Sequence, residues 1–320
     1  MKEVTMHQSK IKVIAKAILK DWRLYVLLAP MVIWYILWAY KPMGGLLMAF
    51  QRFKPELGIG KSEFRGLGNF IVLNTGGYKE EFWSAFRNTF LISLYGLCFG
   101  FPVPIIIALF FSEINFSPFR RIAQTITYLP HFLSEVTITS IVLILLYKGE
   151  RTTGILTQLL YNLNIVPNGT TIMDTPNYFK PIYIITGIWK ESGYNSIVYF
   201  AAIMAISPTM YEAIRVDGGN KLQEIRYVTI PGMAPTLIIM IILRIGRMLS
   251  VGYERIILLY NPNIYITADV LSTFEQRIGF ESGGVLSIAS SAGMFNAIIG
   301  FALVVGANFI SRRVSQTSLW

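Results

Sequence analysis

Six long apolar stretches separated by polar segments dominate the pattern of this 320-residue chain. An α-helix needs about 20 apolar residues to cross the hydrocarbon core of a bilayer, and each stretch is close to that length or longer. The stretches cover residues 24–50, 87–111, 125–146, 181–205, 231–249 and 290–310. The pattern predicts an all-α polytopic membrane protein with about six transmembrane helices.

The first stretch follows a basic leader, which is also a feature of secretory signal peptides. The apolar run Leu24–Tyr40 is longer than the core of a signal peptide, and no small-residue cleavage site follows it. We therefore expect this stretch to stay in the membrane. Pro42, Pro102 and Pro104 predict kinks, which membrane helices tolerate where their backbone faces protein or a water-filled cavity.

The composition excludes a soluble enzyme. Hydrophobic residues make up 53% of the chain and charged residues 14%, and the mean hydropathy is +0.52. So few charges cannot supply the polar surface that a soluble domain of this length needs. One cysteine and two histidines allow no intrachain disulfide and disfavour a Cys/His metal cluster. In a membrane protein the net charge of +10 is typical of cytoplasmic loops, so no nucleic-acid partner is expected.

The distribution of Lys and Arg predicts the orientation in the membrane. With the amino terminus inside, the cytoplasmic segments carry 13 Lys or Arg in 71 residues, and the outer loops carry 10 in 110. The positive-inside rule requires this asymmetry, so both termini are predicted to be cytoplasmic. The predicted division is a cytoplasmic amino-terminal segment (1–23), a transmembrane domain (24–310) with a cytoplasmic loop (207–231) and outer loops (51–86, 147–180, 250–289), and a cytoplasmic tail (311–320).

The cytoplasmic loop, residues 207–231, begins with signals for a short helix. Thr209 and Glu212 have the spacing of a capping box, and Gly218-Gly219 is a helix stop. A residue just after a helix end commonly needs a positive φ, which glycine adopts without strain. We therefore predict one helix that ends at a tight turn.

A second helix is predicted after this turn. Asn220 and Gln223 repeat the capping-box spacing, and Pro231 ends the loop where span five begins. The loop has three basic residues and three acidic ones: Arg215, Lys221, Arg226, Glu212, Asp217 and Glu224. A neutral helix pair fits a protein groove better than an anionic lipid surface, and a plain amphipathic connection between spans is the alternative.

The loop resembles the cytoplasmic signature of the membrane permeases of ATP-binding-cassette (ABC) importers. That signature is Glu-Ala-Ala, three residues, Gly, nine residues, Ile, one residue and Leu-Pro. Glu212, Ala213, Gly218 and Pro231 match it in register, and the conservative departures are Ile214, Val228 and Ile230. Similarity to sugar permeases continues at residues 189–191, 193–195, 260–262, 268–270 and 311–313, and residues 40–43 and 48–50 resemble the polysaccharide-importing subgroup.

This resemblance implies a type I ABC importer permease fold and a multi-pass subunit of the bacterial cytoplasmic (inner) membrane. It implies a second permease in a heterodimer, a cytoplasmic ATPase dimer that binds ATP and magnesium, and an extracytoplasmic solute-binding protein. The cargo would be an oligo- or polysaccharide, with alginate as one acidic candidate. The loop would insert into a cleft on the ATPase through its coupling residues Glu212, Ala213, Arg215, Asp217, Gly218 and Pro231.

The chain carries no motif that would supply energy for transport. Gly60-Lys61-Ser62 ends like a phosphate-binding loop, but that motif needs glycine where Pro55 stands. Neither a Ser-His-Asp arrangement nor an HExxH motif appears. We therefore expect a transport subunit and not an enzyme, with no cofactor in this chain and with ATP hydrolysis on a separate chain.

Charged residues within the spans are candidates for a substrate path, because each costs about 2.5–3.5 kcal/mol at a helix centre on insertion scales. Arg244 and Arg247 are three residues apart and project from one face of span five. Lys190 and Glu191 point about 100° apart, so each needs its own partner. The cations either form structural pairs with Glu135 or Glu191, or they line a positive path for an acidic sugar.

Trp34, Trp38 and Lys41 form one stripe on the first span. Sugar rings stack on aromatic faces, so this stripe is a candidate wall of the path. An interfacial aromatic belt explains Trp38 and Tyr40 equally well. The full candidate path comprises Trp34, Trp38, Lys41, Lys190, Glu191, Tyr194, Asn195, Arg244 and Arg247.

Two other classes of function are alternatives. A self-sufficient secondary carrier or channel would transport without nucleotide, and a membrane enzyme for lipid-linked sugar would need a paired acid and base in a loop. The sequence shows no such pair, and its spans show none of the inverted repetition found in many carriers. Transport by the isolated chain would distinguish a carrier from an importer subunit.

Overall fold

The computed structural model describes residues 20–150, 152–281 and 284–315, which form an almost wholly helical protein. Predictions for residues 1–19 and 316–320 lie outside the described residues. The α-helices are α1 (Trp22–Tyr35), α2 (Gly68–Thr75), α3 (Lys79–Gly100), α4 (Pro102–Glu113), α5 (Ser117–Tyr128), α6 (Glu135–Leu145), α7 (Ile155–Asn162), α8 (Pro176–Met204), α9 (Pro208–Val216), α10 (Lys221–Glu224), α11 (Ile230–Gly246), α12 (Tyr253–Leu259), α13 (Tyr265–Ala268), α14 (Leu271–Gln276) and α15 (Leu286–Ser315).

Shorter elements extend or join these helices. The π-helical segments are Ile36–Tyr40, Ile225–Thr229 and Arg277–Glu281, and the 3₁₀ segments are Lys41–Phe50, Leu129–Phe132, Ile172–Asp174 and Pro262–Ile264. Two short strands, β1 (Gln51–Arg52) and β2 (Glu63–Phe64), pair antiparallel after the first span. The segments predicted as outer loops therefore contain short helices and a hairpin.

The helices account for the predicted spans. Among the described residues, four helices are long and apolar enough to cross a membrane: Trp22–Phe50, Lys79–Glu113, Lys221–Gly246 and Leu286–Arg313. The number reaches six when two bent pairs each count as one span: Ser117–Phe132 with Glu135–Leu145, and Pro176–Met204 with Pro208–Val216. The prediction of an all-α polytopic membrane protein with about six transmembrane helices is confirmed.

The third span differs from the single helix predicted over residues 125–146. The chain bends by 97° between its two helices, at the break that follows Phe132. Pro130 lies in a 3₁₀ turn before the break, and Ser134 caps the next helix by accepting a hydrogen bond from the amide of Thr137 at 3.1 Å. Proline lacks an amide donor and a capping serine favours a new helix start, so the two residues together break the span.

Buried apolar side chains form three clusters around α8 and its neighbours. One, around Ile256, joins α3, α6, α7, α8 and α12, and a second, around Phe274, joins α2, α3, α14 and α15. A third, around Met233, joins α4, α8 and α11. In contrast, no residue of α1 is buried, and its exposed apolar side chains suit a membrane environment. The packed part of the molecule therefore surrounds α8, and α1 lies at its edge.

Candidate functional site

The cytoplasmic loop folds as α9 and α10 joined by a tight turn. The amide of Gly219 donates to the carbonyl of Ile214 at 2.8 Å and that of Gly218 to the carbonyl of Arg215 at 3.0 Å, which is the Schellman arrangement. Gly218 has φ of +79°, so the predicted helix stop is confirmed. A Cβ on Gly218 would meet none of the described residues beyond its chain neighbours within 4 Å, so this side of the turn is open.

The start of α9 differs from the prediction. The helix begins at Pro208 with Ser207 as the N-cap residue, and no side chain caps it, so the proposed Thr209–Glu212 capping box is wrong. Proline already has the φ of a first helical residue and lacks the amide that a cap would satisfy. The hydroxyl of Ser207 lies 2.8 Å from that of Thr209 and forms a hydrogen bond with it instead.

The second loop helix continues into span five. Its predicted capping box is confirmed: Asn220 Oδ1 accepts from the Gln223 amide at 3.0 Å, and Gln223 Oε1 accepts from the Asn220 amide at 2.7 Å. The helix then runs unbroken over Lys221–Gly246 and includes Pro231, so the second loop helix and span five are continuous. Pro231 follows the π-helical turn Ile225–Thr229, where the regular hydrogen-bond ladder is already displaced. A force on α10 therefore acts directly on span five.

Three of the six charged residues of the loop pair with one another. Glu224, with a side chain only 5% exposed, lies 2.5 Å from Arg215 and 2.9 Å from Lys221. Lys221 also lies 2.9 Å from Glu113 at the end of α4. These pairs neutralise the loop locally and fix it to the end of span two.

An apolar surface remains exposed on the loop. Val216 is 87% exposed, Leu222 76% and Tyr227 60%. The exposed residues of the coupling signature are Glu212, Ala213, Arg215, Asp217, Gly218 and Pro231. Apolar side chains beside internally paired charges are suited to burial against another protein.

A cavity of about 290 Å³ lies between α3, α8, α11 and the start of α12. This volume is near the lower end of the range for ligand pockets, about 300–1,000 Å³. Its polar lining includes Ser93, Glu191, Asn195, Arg244, Arg247 and Arg255. Four of the predicted path residues are thus brought together in one place.

Arg244 and Arg247 line the cavity from the end of α11. Both side chains are exposed, and Nη2 of Arg244 makes a long contact of 3.5 Å with the carbonyl of Gly96. Within the described part of the chain, neither arginine forms an ion pair with a carboxylate. Their guanidinium groups therefore line the cavity without a carboxylate partner among the described residues.

Lys190 forms a structural ion pair with Glu135, one of the two alternatives that the sequence left open for the cations of the spans. Its side chain is 8% exposed, and its Nζ donates to Glu135 Oε1 at 2.6 Å. It is not part of the cavity lining. Of the cations considered together, Lys190 is a structural partner, whereas Arg244 and Arg247 face the cavity.

Arg255 is a cavity residue that the sequence analysis missed. It lies in α12, within the segment predicted as an outer loop, and its Nε and Nη2 each donate to Glu135 at 2.8 Å. The chain between Arg247 and Arg255 leaves the helical path, so no periodicity links them. No signal in the sequence would have placed Arg255 in the cavity.

The predicted Glu191, Tyr194 and Asn195 separate into two groups. Glu191 and Asn195 are one turn apart and both line the cavity. Glu191 Oε2 lies 3.0 Å from His131 Nδ1. Tyr194 is absent from the lining and stacks on His131 with ring centroids 3.9 Å apart. Tyr194 therefore lies outside the cavity lining and contacts His131, the residue that pairs with Glu191.

The stripe on the first span stays apart from this cavity. Trp34 is 56% exposed and Trp38 68%, and Lys41 is also exposed. None of these three residues lines the cavity. Their exposure outside the cavity fits the alternative, an interfacial aromatic belt.

The described residues contain no group of three or more His, Cys, Asp or Glu that could hold a metal ion. Glu191, the carboxylate in the lining, lies 3.0 Å from His131 and 3.9 Å from Lys190, and Glu135, which is outside the lining, is engaged by Lys190 and Arg255. What the cavity offers a ligand is therefore a set of guanidinium donors beside one carboxylate and one carboxamide.

The fold, the loop and the cavity define a membrane transport subunit. The family described as binding-protein-dependent transport system inner membrane component matches residues 100–315, and the chain belongs to that family. The predicted class, a permease subunit of an ABC importer, is confirmed.

Curated relatives and solved structures resemble nearly the whole chain. The polygalacturonan/rhamnogalacturonan transport system permease protein YteP of Bacillus subtilis (strain 168) is 32% identical over 93% of this chain and 90% of its own length. Protein LplB of the same organism is 31% identical over 95% of this chain and 93% of its own length. A crystal structure of a bacterial ABC transporter involved in the import of the acidic polysaccharide alginate contains a chain 40% identical to this one. The match covers 94% of this chain and 99% of the chain in that structure, with a TM-score of 0.84.

Proposed function

We propose that this permease imports an acidic oligo- or polysaccharide. The observation that carries the proposal is the cavity in the spans, which Arg244, Arg247 and Arg255 line together, with Glu191 as the one carboxylate among its described lining residues. Guanidinium groups bind carboxylates by paired charge-assisted hydrogen bonds, which suits a uronate sugar. Relatives named for transport of polygalacturonan and of alginate, both carboxylated polymers, support this cargo.

The proposed complex has further subunits. A second permease would complete the path as a heterodimer, and a solute-binding protein would deliver the saccharide. A related alginate transporter has been crystallised with an alginate pentasaccharide-bound periplasmic protein, which supports this arrangement. A cytoplasmic ATPase dimer, on separate chains, would bind ATP and magnesium and supply the energy.

In this proposal the cytoplasmic loop docks on the ATPase. Its exposed signature residues and the apolar side chains of Val216 and Leu222 would form the contact. Because Arg215, Lys221 and Glu224 pair within the loop, docking would leave these three charges with partners. The continuous helix from α10 into α11 would carry ATPase closure to Arg244 and Arg247 at the cavity.

The proposed orientation puts the loop and both termini in the cytoplasm and keeps the division into residues 1–23, 24–310 and 311–320. In a variant lacking Cys98, we expect a single cysteine at Gln223 to be shielded from an impermeant thiol reagent applied outside the cell. One at Asn168 should be labelled, and both positions are exposed in the structure. Labelling of Gln223 from outside would overturn the orientation and the docking together.

The function is tested with the complete transporter in proteoliposomes. Uptake of oligogalacturonate should require ATP on the loop side and loaded binding protein on the other side, and should exceed uptake of a neutral arabino-oligosaccharide. Uptake without ATP would indicate a self-sufficient carrier and contradict the importer. Equal uptake of the two sugars would contradict the acidic cargo.

A further inference from the structure

Arg255 differs from the other two arginines of the cavity in how it is held. Its side chain is only 11% exposed, and its Nε and Nη2 donate as a fork to the two oxygens of Glu135. Its guanidinium also lies over the ring of Tyr183, 5.4 Å from the ring centroid. Glu135 in turn is fixed by Lys190 at 2.6 Å. The Arg255 guanidinium is therefore held in one place, whereas Arg244 and Arg247 are exposed.

The remaining edge of this guanidinium, at Nη1, has no hydrogen-bond partner among the residues that the structure describes. Among the described residues, the hydrogen bonds of Arg255 all run from Nε and Nη2 to Glu135. Nη1 lies beside Gly187 on α8, itself a lining residue of the cavity. Nη1 is not among the fully buried atoms that lack a hydrogen-bond partner, so it is accessible from the cavity, where a ligand or water can accept its hydrogen bonds.

Gly187 has no side chain, and Nη1 of Arg255 lies in the space that a Cβ at this position would need. A Cβ at this position would lie 2.8 Å from Nη1, closer than real contacts allow. The end of a free arginine would move aside at little cost. Arg255 is held by Glu135 and Tyr183, so a methyl group at Gly187 would displace the guanidinium from its fixed position.

We infer that Arg255 is a third anion-binding residue of the cavity, and that Glu135 and Gly187 position its Nη1 edge toward a carboxylate of the cargo. This inference rests on the proposed acidic cargo and adds a residue that selects for it. A fixed donor binds a carboxylate with little loss of side-chain freedom, which favours anions over neutral sugars more strongly than a flexible side chain does.

The test uses the complete complex in nanodiscs without its binding protein, so that the selectivity of that protein does not contribute. Equilibrium dialysis measures the binding of radiolabelled trigalacturonate and of the same trimer with its carboxyl groups reduced to alcohols. The variants are Arg255→Gln, which removes the donor, and Gly187→Ala, which displaces it without changing any charge. Gly300→Ala is the matched control, because a Cβ there meets no atom within 4 Å.

We expect Arg255→Gln and Gly187→Ala each to weaken trigalacturonate binding about tenfold, with the reduced trimer unchanged and with no further loss when they are combined. Gly300→Ala should bind both trimers as the unmodified complex does. If both cavity variants keep the preference for the acidic trimer, the role of Arg255 is overturned while the acidic cargo stands. If the unmodified complex itself shows no preference, the cargo proposal fails, and this inference fails with it.

Discussion

The cytoplasmic loop and the membrane cavity each contain three basic residues, and the two regions differ in which of these residues have a carboxylate partner. The residues are Arg215, Lys221 and Arg226 in the loop and Arg244, Arg247 and Arg255 in the cavity. In the loop, Arg215 and Lys221 share the buried Glu224. In the cavity, Arg255 is held by Glu135, but Arg244 and Arg247 have no carboxylate partner among the described residues. Charges paired in advance suit a permanent protein contact, and charges left open suit a ligand that brings the opposite charge.

The sharpest way to separate the two regions is to damage the loop alone. Gly218→Val places a branched side chain at a φ of +79°, which costs about 1–2 kcal/mol, and fills the open turn. We expect near-complete loss of uptake with normal membrane insertion, measured as ATP-driven uptake together with co-purification of the ATPase.

Gly218→Asn is the matched control, because asparagine tolerates a positive φ better than valine does. It should retain much of the uptake. Normal uptake and normal ATPase attachment in Gly218→Val would show that the turn plays no part in coupling.

The buried and exposed ion pairs should differ in their effect on stability. Glu135→Gln leaves Lys190 and Arg255 without their carboxylate, and we expect it to destabilise the subunit by about 3–5 kcal/mol. Glu113→Gln removes a pair in which the side chains are 58% and 47% exposed, and should cost about 0–1 kcal/mol. Thermal unfolding of the two purified variants measures the difference, and equal losses would contradict it.

A substitution in the aromatic stripe of the first span tests whether the substrate path includes this stripe. Trp38 is 68% exposed and lies outside the cavity lining, so Trp38→Leu should change trigalacturonate binding by less than about twofold. Equilibrium dialysis with the assembled complex measures this. A tenfold loss for the acidic trimer would instead place the stripe in the substrate path.

The smallest expected effect concerns Glu275, a carboxyl group in α14 outside both regions and outside the candidate spans. Burial raises the pKa of Glu275 to about 7. Because its pKa is higher in the folded than in the unfolded state, the stability it contributes is fully present below about pH 4.5 and is lost as the pH rises through 7.

The melting temperature of the complex should therefore fall by about 1–2 °C more from pH 6 to pH 8 than that of Glu275→Gln. The glutamine variant keeps the shape of the side chain but cannot ionise. Parallel pH dependence of the two proteins would show that Glu275 does not titrate in this range.

The loop was largely predictable because its determinants are contiguous. The helix stop at Gly218 and the capping box at Asn220 depend on residues within one turn of each other, and both are confirmed. The error there concerns competition between local signals: Pro208 sets the start of α9 in place of Thr209. Pro231 was tolerated because a π-helical turn precedes it.

The cavity was predictable only in part because its residues meet through tertiary packing. The helical spacing of Arg244 and Arg247 identified two lining residues, and hydropathy identified the spans that carry them. The partner of Lys190 and the presence of Arg255 depend on how α6 and α12 pack against α8. The 97° break in span three, which positions Glu135, likewise follows from Pro130 and Ser134 acting together.

One measurement tests the division of roles most directly. Trigalacturonate binding and binding-protein-stimulated ATP hydrolysis are measured on the same reconstituted complex for Gly218→Val and for the double variant Arg244→Gln/Arg247→Gln. We predict that Gly218→Val binds the trimer normally and loses stimulated hydrolysis. The double arginine variant should keep its ATPase and its basal hydrolysis but bind the trimer at least about tenfold more weakly. Loss of both properties in both variants would contradict separate roles for the loop and the cavity.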